Sequence, residues 1–209
     1  KSKTDAQRGK LFTKIGRQIA VAVKEGGSDP ETNPRLRDAI ANARAANMPN
    51  DNIIRSIKRA AGELGNVTYE EITYEGYGPN GVAVIVQALT DNRNRTAGEM
   101  RYIFDRSGGS LGATGCVSWM FDRKGLIENT GDIDEDELMM QALEAGAEDV
   151  ELEDGLFQIL TDPADFTQVR EGLEKSGYKI ASAEVGMLPQ TYVERSGERY
   201  DQALSLFGK

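Results

Sequence analysis

An α+β fold, with a helical head followed by two sheet-bearing regions, is what this sequence predicts on three observations. As far as residue 62 the apolar residues recur every three or four positions, the spacing of one helix face. From residue 67 the period changes to two, the alternation of a strand. Residues 126–187 then spell strand, helix, strand, strand, helix, strand, the order of a ferredoxin-like unit.

The head divides into three helices. In the first, Ile15, Ile19 and Val23 share a face flanked by Leu11 and Phe12, and Gly26 and Gly27 end it. After Asn33 and Pro34 a second helix places Leu36, Ile40 and Ala43 inward, with Arg35, Arg37 and Arg44 on its polar side. The turn Asn47-Met48-Pro49-Asn50 leads to a third, which turns Ile53, Ile54 and Ile57 inward and Arg55, Lys58 and Arg59 largely outward. Pro49 or Asn50 suits its start and Gly62 its end. A helix–turn–helix and a plain antiparallel pair explain this pattern equally well, because the four-residue turn lacks the usual glycine.

Beyond the head, Val82–Leu89 reads as a buried strand, and Thr96-Ala97-Gly98-Glu99 as a capping box opening a helix to Ser107. Cys116–Phe121 reads as another strand, and Asp122-Arg123-Lys124-Gly125 as a turn into strand 126–129. Helix 135–145, strand 148–152, strand 156–161, helix 163–176 and strand 178–187 follow, then strand 189–195 and helix 198–207. The flanking pieces form a second ferredoxin-like unit, interrupted by the first and lacking its last strand. The expected domains are a basic three-helix domain (1–66), a discontinuous α/β domain (67–125 plus 188–209) and an inserted α/β domain (126–187).

Composition narrows the chemistry. The 209 residues contain no histidine and one cysteine, so zinc sites built from Cys and His are unavailable and Cys116 has no internal disulfide partner. A catalytic cysteine would lack its usual histidine base, which disfavours an enzyme while leaving carboxylate and lysine chemistry open. A lone thiol fits a reducing compartment. No purely apolar run, Val82–Val86 included, exceeds five residues, far short of the roughly 20 residues of a membrane helix. The first residue is Lys1 rather than Met, so the lack of a targeting segment carries little weight.

The net charge of −9 conceals an asymmetry. Residues 1–66 hold 13 Lys/Arg against seven Asp/Glu, a net of +6, and the other 143 residues carry −15. A basic head on an acidic body suits a face for a polyanion and a remainder that repels it.

Several motifs resolve into ordinary structure. Gly76-Tyr77-Gly78-Pro79-Asn80-Gly81 satisfies the dinucleotide pattern, but a strand follows it instead of a helix, so a tight strand connection is expected. Asp132-Ile133-Asp134-Glu135-Asp136 imitates a calcium loop, yet Glu137 stands where glycine is needed and Leu143 where glutamate is needed. Acids leading into a helix N-terminus account for it. Asp91-Asn92-Arg93-Asn94-Arg95 lies between a strand and a helix, where its two guanidiniums suit phosphates and exposed base edges. The competing reading is that Asp91 and Glu99 neutralise the arginines and the asparagines satisfy the turn. Gly108–Gly115 could approach a nucleic acid, but a mobile helix–strand connection is the stronger expectation. Tyr102, Trp119 and Phe121 do not form the aromatic ribonucleoprotein motif.

Long, unusual strings run through the chain. They include Asp5-Ala6-Gln7-Arg8-Gly9-Lys10-Leu11-Phe12, Glu25-Gly26-Gly27-Ser28-Asp29-Pro30, Asn33-Pro34-Arg35-Leu36-Arg37, Tyr74-Glu75-Gly76-Tyr77-Gly78-Pro79 and Thr90-Asp91-Asn92-Arg93-Asn94-Arg95-Thr96. Phe121-Asp122-Arg123-Lys124-Gly125 and Met187-Leu188-Pro189-Gln190 extend the set. In these the sequence resembles the YebC/PmpR family, which includes the mitochondrial translational activator of cytochrome c oxidase subunit I. It departs from the family in lacking a Gly-His-Ser-Lys-Trp opening and in stopping at Lys209, inside the last expected helix. The resemblance implies a helical first domain with two α/β domains and no enzymatic activity. It also implies a cytoplasmic setting, or the mitochondrial matrix in a eukaryote. Many bacterial members look like DNA-binding transcriptional regulators and others like translation factors on the ribosome.

The expected function is therefore a non-enzymatic nucleic-acid-binding regulator of gene expression, with no cofactor, metal, membrane or small-molecule substrate. Lys3, Arg8, Lys10, Lys14 and Arg17 are expected on phosphates, Arg55, Lys58 and Arg59 beside Asn52 near the groove, and Arg93 and Arg95 as a second contact. The alternative target is ribosomal RNA or tRNA. Oligomeric state has no signature in the sequence.

Overall fold

A computed structural model describes residues 2–62, 68–130, 133–153 and 155–190. Helices α1 (Ser2–Gly26), α2 (Pro34–Ala45) and α3 (Asn50–Ala60) form the head. Strands β1 (Glu70–Tyr77) and β2 (Ala83–Thr90), helix α4 (Arg93–Arg106) and strand β3 (Ser110–Leu111) follow. Then come β4 (Phe121–Asn129), α5 (Glu135–Ala145), β5 (Asp149–Glu153), β6 (Leu156–Thr161), α6 (Phe166–Lys175) and β7 (Ile180–Pro189). The architecture is α+β, with a helical N-terminal region and antiparallel sheets. The chain packs as two units, residues 1–68 with 123–186, and 69–122 with 187–209.

In the first unit the head closes over Ile15, Ile19, Ala22, Val23, Leu36, Ile40, Ala43, Met48 and Ile53, all buried. Asn33 joins two helices: its Oδ1 accepts the Leu36 amide at 3.1 Å, capping α2, and its amide group donates to the carbonyls of Ala22 and Gly27. Gly26 is required beside it, since a Cβ there would strike the Asn33 side chain. Between α2 and α3, Asn47 takes the left-handed conformation (φ 58°) that a glycine would otherwise supply. One expectation changes. Ile54 is 43% exposed and not inward, because α3 buries only one flank, led by Ile53.

The same unit contains the four-stranded sheet in the order β5-β6-β4-β7, with β4 and β5 each antiparallel to β6. Its core joins Ile127, Phe157 and Ile159 to Leu138 and Ala142 of α5 and Val169 and Leu173 of α6. This is the ferredoxin-like order expected for the inserted region. The turn expected at 122–125 does not exist, since β4 runs straight through it. Gly125 serves clearance and not bending: it lies opposite Thr161, and a Cβ would overlap the Thr161 hydroxyl and the Phe166 side chain. The first turn of helix 163–176 is a 3₁₀ turn capped by Asp162, and the α-helix starts at Phe166.

In the second unit β1 and β2 pair from Glu70↔Thr90 to Tyr77↔Ala83, and β3 adds opposite Gly76 and Tyr77. The GxGxxG string is the hairpin connection expected, with the Gly78 amide donating to the Val82 carbonyl at 2.7 Å. Helix α4 starts earlier than expected. Asn92 caps it by accepting the Arg95 amide at 2.9 Å, whereas Thr96 is buried with its hydroxyl 2.6 Å from that of Thr90. Strand 116–121 is replaced by a turn and a short 3₁₀ helix, Ser118–Met120. Strand β7 continues to Pro189, so no separate strand begins there, and the expected elements beyond Gln190 lie outside the described residues.

Candidate nucleic-acid interface

The first turns of α1 stand clear of the head's core. Every residue from Thr4 to Leu11 is exposed, Arg8 and Lys10 among them. On α3, Arg55, Lys58 and Arg59 are exposed opposite Ile53. Gly16 of α1 approaches Ser56 of α3, a Cβ there lying 3.8 Å from the serine hydroxyl, so the two helices pack together at that point. Among the described residues no carboxylate lies within ion-pair reach of Arg8, Lys10, Arg55, Lys58 or Arg59.

The other expected contacts are placed differently. Lys14 pairs with Glu184 at 3.1 Å, with both side chains 56% exposed. Arg17 is half-buried, and the Lys3 side chain lies outside the described ones. Arg93 and Arg95 belong to the second unit and are occupied: Arg93 grips Glu70 with two nitrogens, and Arg95 meets Asp91 at 3.0 Å and Glu99 at 3.8 Å. Asn92 spends its oxygen on the helix cap. The Asp91–Arg95 loop therefore has the self-satisfied geometry that competed with phosphate contact. Likewise Asp134, from the calcium-like string, caps α5 by accepting the Glu137 amide, and Asp132 lies outside the described residues.

Two features carry no signal in sequence spacing. Glu75 is buried (4% exposed), and its carboxylate accepts the amides of Gly115 at 2.6 Å, Ser118 at 2.7 Å and Val117 at 3.2 Å. The Gly115 amide is foremost in holding this carboxyl below the ordinary glutamate value, against the opposing effect of burial. The glycine-rich segment expected to be a mobile connection is thus pinned to the sheet. It presents Trp119, 70% exposed, whose indole N–H donates to the Cys116 carbonyl at 3.1 Å.

In the first unit Arg170 is 3% exposed and paired with Asp38 at 2.8 Å and Glu174 at 2.9 Å, while the Thr167 hydroxyl also donates to Asp38. A cleft of about 280 Å³ opens here, lined by Asn42, Arg44, Arg170, Glu174 and Tyr178. Its buried cation is already satisfied. Among the described residues no helix is long and apolar enough to cross a membrane.

Fold and charge together define an α+β protein with a basic helical head, five of whose exposed cations, Arg8, Lys10, Arg55, Lys58 and Arg59, have no carboxylate in ion-pair reach among the described residues. The pattern described as "TACO1/YebC protein N-terminal domain" matches residues 1–63, and "TACO1/YebC second and third domain" matches residues 69–209. The chain belongs to the TACO1/YebC family. A relative from Acetivibrio thermocellus named "Probable transcriptional regulatory protein" is 65% identical over 91% of this chain and 80% of its own length. One of the same designation from Thermoanaerobacter pseudethanolicus is 56% identical over 100% of this chain and 86% of its own. The crystal structure of a conserved hypothetical protein from Aquifex aeolicus superimposes with a TM-score of 0.90 at 49% identity, covering 100% of this chain and 86% of that one.

Proposed function

We propose that this chain is a non-enzymatic regulator of gene expression that binds duplex DNA through the basic faces of α1 and α3. The three-domain division at residues 66, 125 and 187 belongs to the same proposal. The supporting observation is the set of five exposed cations, Arg8, Lys10, Arg55, Lys58 and Arg59, none with a carboxylate partner among the described residues. A side chain already paired must break one interaction to make another, whereas an unpaired cation is free to displace a phosphate's counterion. The relatives' designation as transcriptional regulatory proteins supports the same reading. Five phosphate contacts give a slope of about −4.5 for log affinity against log salt on duplex DNA.

A second reading rests on Trp119. An indole 70% exposed and held by its own N–H offers a flat face on which an unpaired base can stack, as in single-stranded RNA. Ultraviolet crosslinking in growing cells, followed by sequencing of the attached DNA and RNA, separates the two. Crosslinks concentrated at promoters support the duplex reading; crosslinks concentrated in ribosomal RNA or tRNA replace it with a translation factor.

A further inference from the structure

From Gly125 to Val169 the sequence contains 14 aspartates and glutamates and not one lysine or arginine. The same stretch bears three large apolar side chains in the open: Met140 at 64% exposure, Leu152 at 53% and Leu143 at 48%.

The fold gathers them on one flank. Helix α6 lies against the side of α5 that carries Gln141 and Ala145, since the Ser176 hydroxyl donates to Gln141 at 2.8 Å and Gly172 approaches the Ala145 side chain. Leu143 is two residues from each of those and so lies on the opposite side of α5, with Met140 one turn away. Leu152 stands on β5, the end strand of its sheet, and shares a strand face with Val150, which is buried in the core with Leu138 and Ala142 of α5. Beside them on α5 lie exposed Asp136 and Glu144. Glu148 is engaged by Lys124 at 2.9 Å, and Asp149 covers the Val150 amide at 2.8 Å, which blunts the strand edge against simple pairing.

We propose that this flank docks a basic polypeptide segment, which lays aliphatic side chains over Met140, Leu143 and Leu152 and sets lysine or arginine beside Asp136 and Glu144. Scattered exposed hydrophobics are unremarkable, but three on one flank rimmed by a single sign of charge match a partner carrying the opposite sign. The same field repels nucleic acid, so this surface and the head serve different partners.

The test places a photo-crosslinking amino acid at position 143 of the full chain in growing cells, with position 182 of β7 as control, and sequences the attached peptide by mass spectrometry. The expected adduct at 143, absent at 182, is a lysine- or arginine-rich segment of another protein. Synthesised, that segment binds the purified chain, and Leu143→Ser with Leu152→Ser weakens it by about tenfold while leaving nucleic-acid affinity and melting temperature unchanged. An adduct to nucleic acid, to a second copy of this chain or to a neutral or acidic segment overturns the proposal. So does the absence of an adduct, or unaltered binding by the double variant.

Discussion

The molecule carries two arginine-rich segments that look alike as text and differ as chemistry. On α3, Arg55, Lys58 and Arg59 stand exposed with no carboxylate in ion-pair reach among the described residues. At the start of α4, Arg93 and Arg95 are as exposed, yet Glu70, Asp91 and Glu99 already hold them. The difference lies in the neighbours. Asp91 and Glu99 sit four residues either side of Arg95, and the β1–β2 pairing brings Glu70 opposite Thr90, close to Arg93. A cation's capacity for phosphate depends on what the fold has already placed beside it.

The sharpest way to break this comparison is to reverse the unpaired charges. The triple variant Lys10→Glu, Arg55→Glu, Arg59→Glu should lose about 100-fold or more in duplex affinity at moderate salt, with a salt slope flattened by about three. Fluorescence anisotropy on labelled DNA across a salt series reads both quantities, and circular dichroism confirms that these surface changes leave the fold intact. Affinity within twofold of the parent would remove the head from the interface.

A second contrast sets the buried ion pair against an exposed one. Asp38→Ala leaves Arg170, 3% exposed, with only Glu174 and Glu171 at its nitrogens among the described residues, and should cost about 3 kcal/mol in denaturant unfolding. Glu184→Ala removes the partner of Lys14, where both side chains are 56% exposed, and should cost at most about 0.5 kcal/mol. Equal costs would mean that burial is not what makes the Arg170 pair matter.

Much of the architecture was legible because it depends on periodicity. The three head helices, α5 and the ferredoxin-like strand order all follow from which residues are apolar and how they are spaced. The failures share another cause. Gly125 looked like a turn because glycine usually marks one, but its missing Cβ makes room for Phe166. Thr96 fitted a capping box, yet Thr90 claims its hydroxyl and Asn92 does the capping. Cys116–Phe121 alternated like a strand, and Glu75, some 40 residues upstream, recruited its amides into a turn. In the candidate site, cationic residues could be read from the sequence, but their ion-pair partners could not, because those are settled by tertiary proximity.

Glu75 gives the next test. Its carboxylate is held below the ordinary glutamate value, so the stability it contributes is fully present above about pH 4.3 and is lost as pH falls through the lowered value. Glu75→Gln keeps the shape but cannot accept from all three amides. It should cost about 2 kcal/mol at pH 7, a gap to the parent that closes in acid. Trp119 fluorescence reports the loop directly. A gap that persists unchanged well below pH 4 would mean that packing, and not the charge, holds the segment.

The smallest expected effect bears most directly on the comparison. Arg93→Ala and Arg95→Ala remove cations of the same kind as those of α3, so a count of positive charge alone predicts a loss of duplex affinity and a shallower salt slope. The geometry predicts neither, because each guanidinium is already held by a carboxylate and so has no phosphate contact to lose. The informative partner is Glu70→Gln with Arg93 intact, which frees the guanidinium without altering the backbone that presents it. Phosphate binding at this loop, if pairing suppresses it, should emerge in Glu70→Gln as a steeper salt slope by about one. A loss of affinity in Arg93→Ala with the parent Glu70 in place would show instead that the ion pair opens for a phosphate, and that resting geometry is a poor guide to which cations are available.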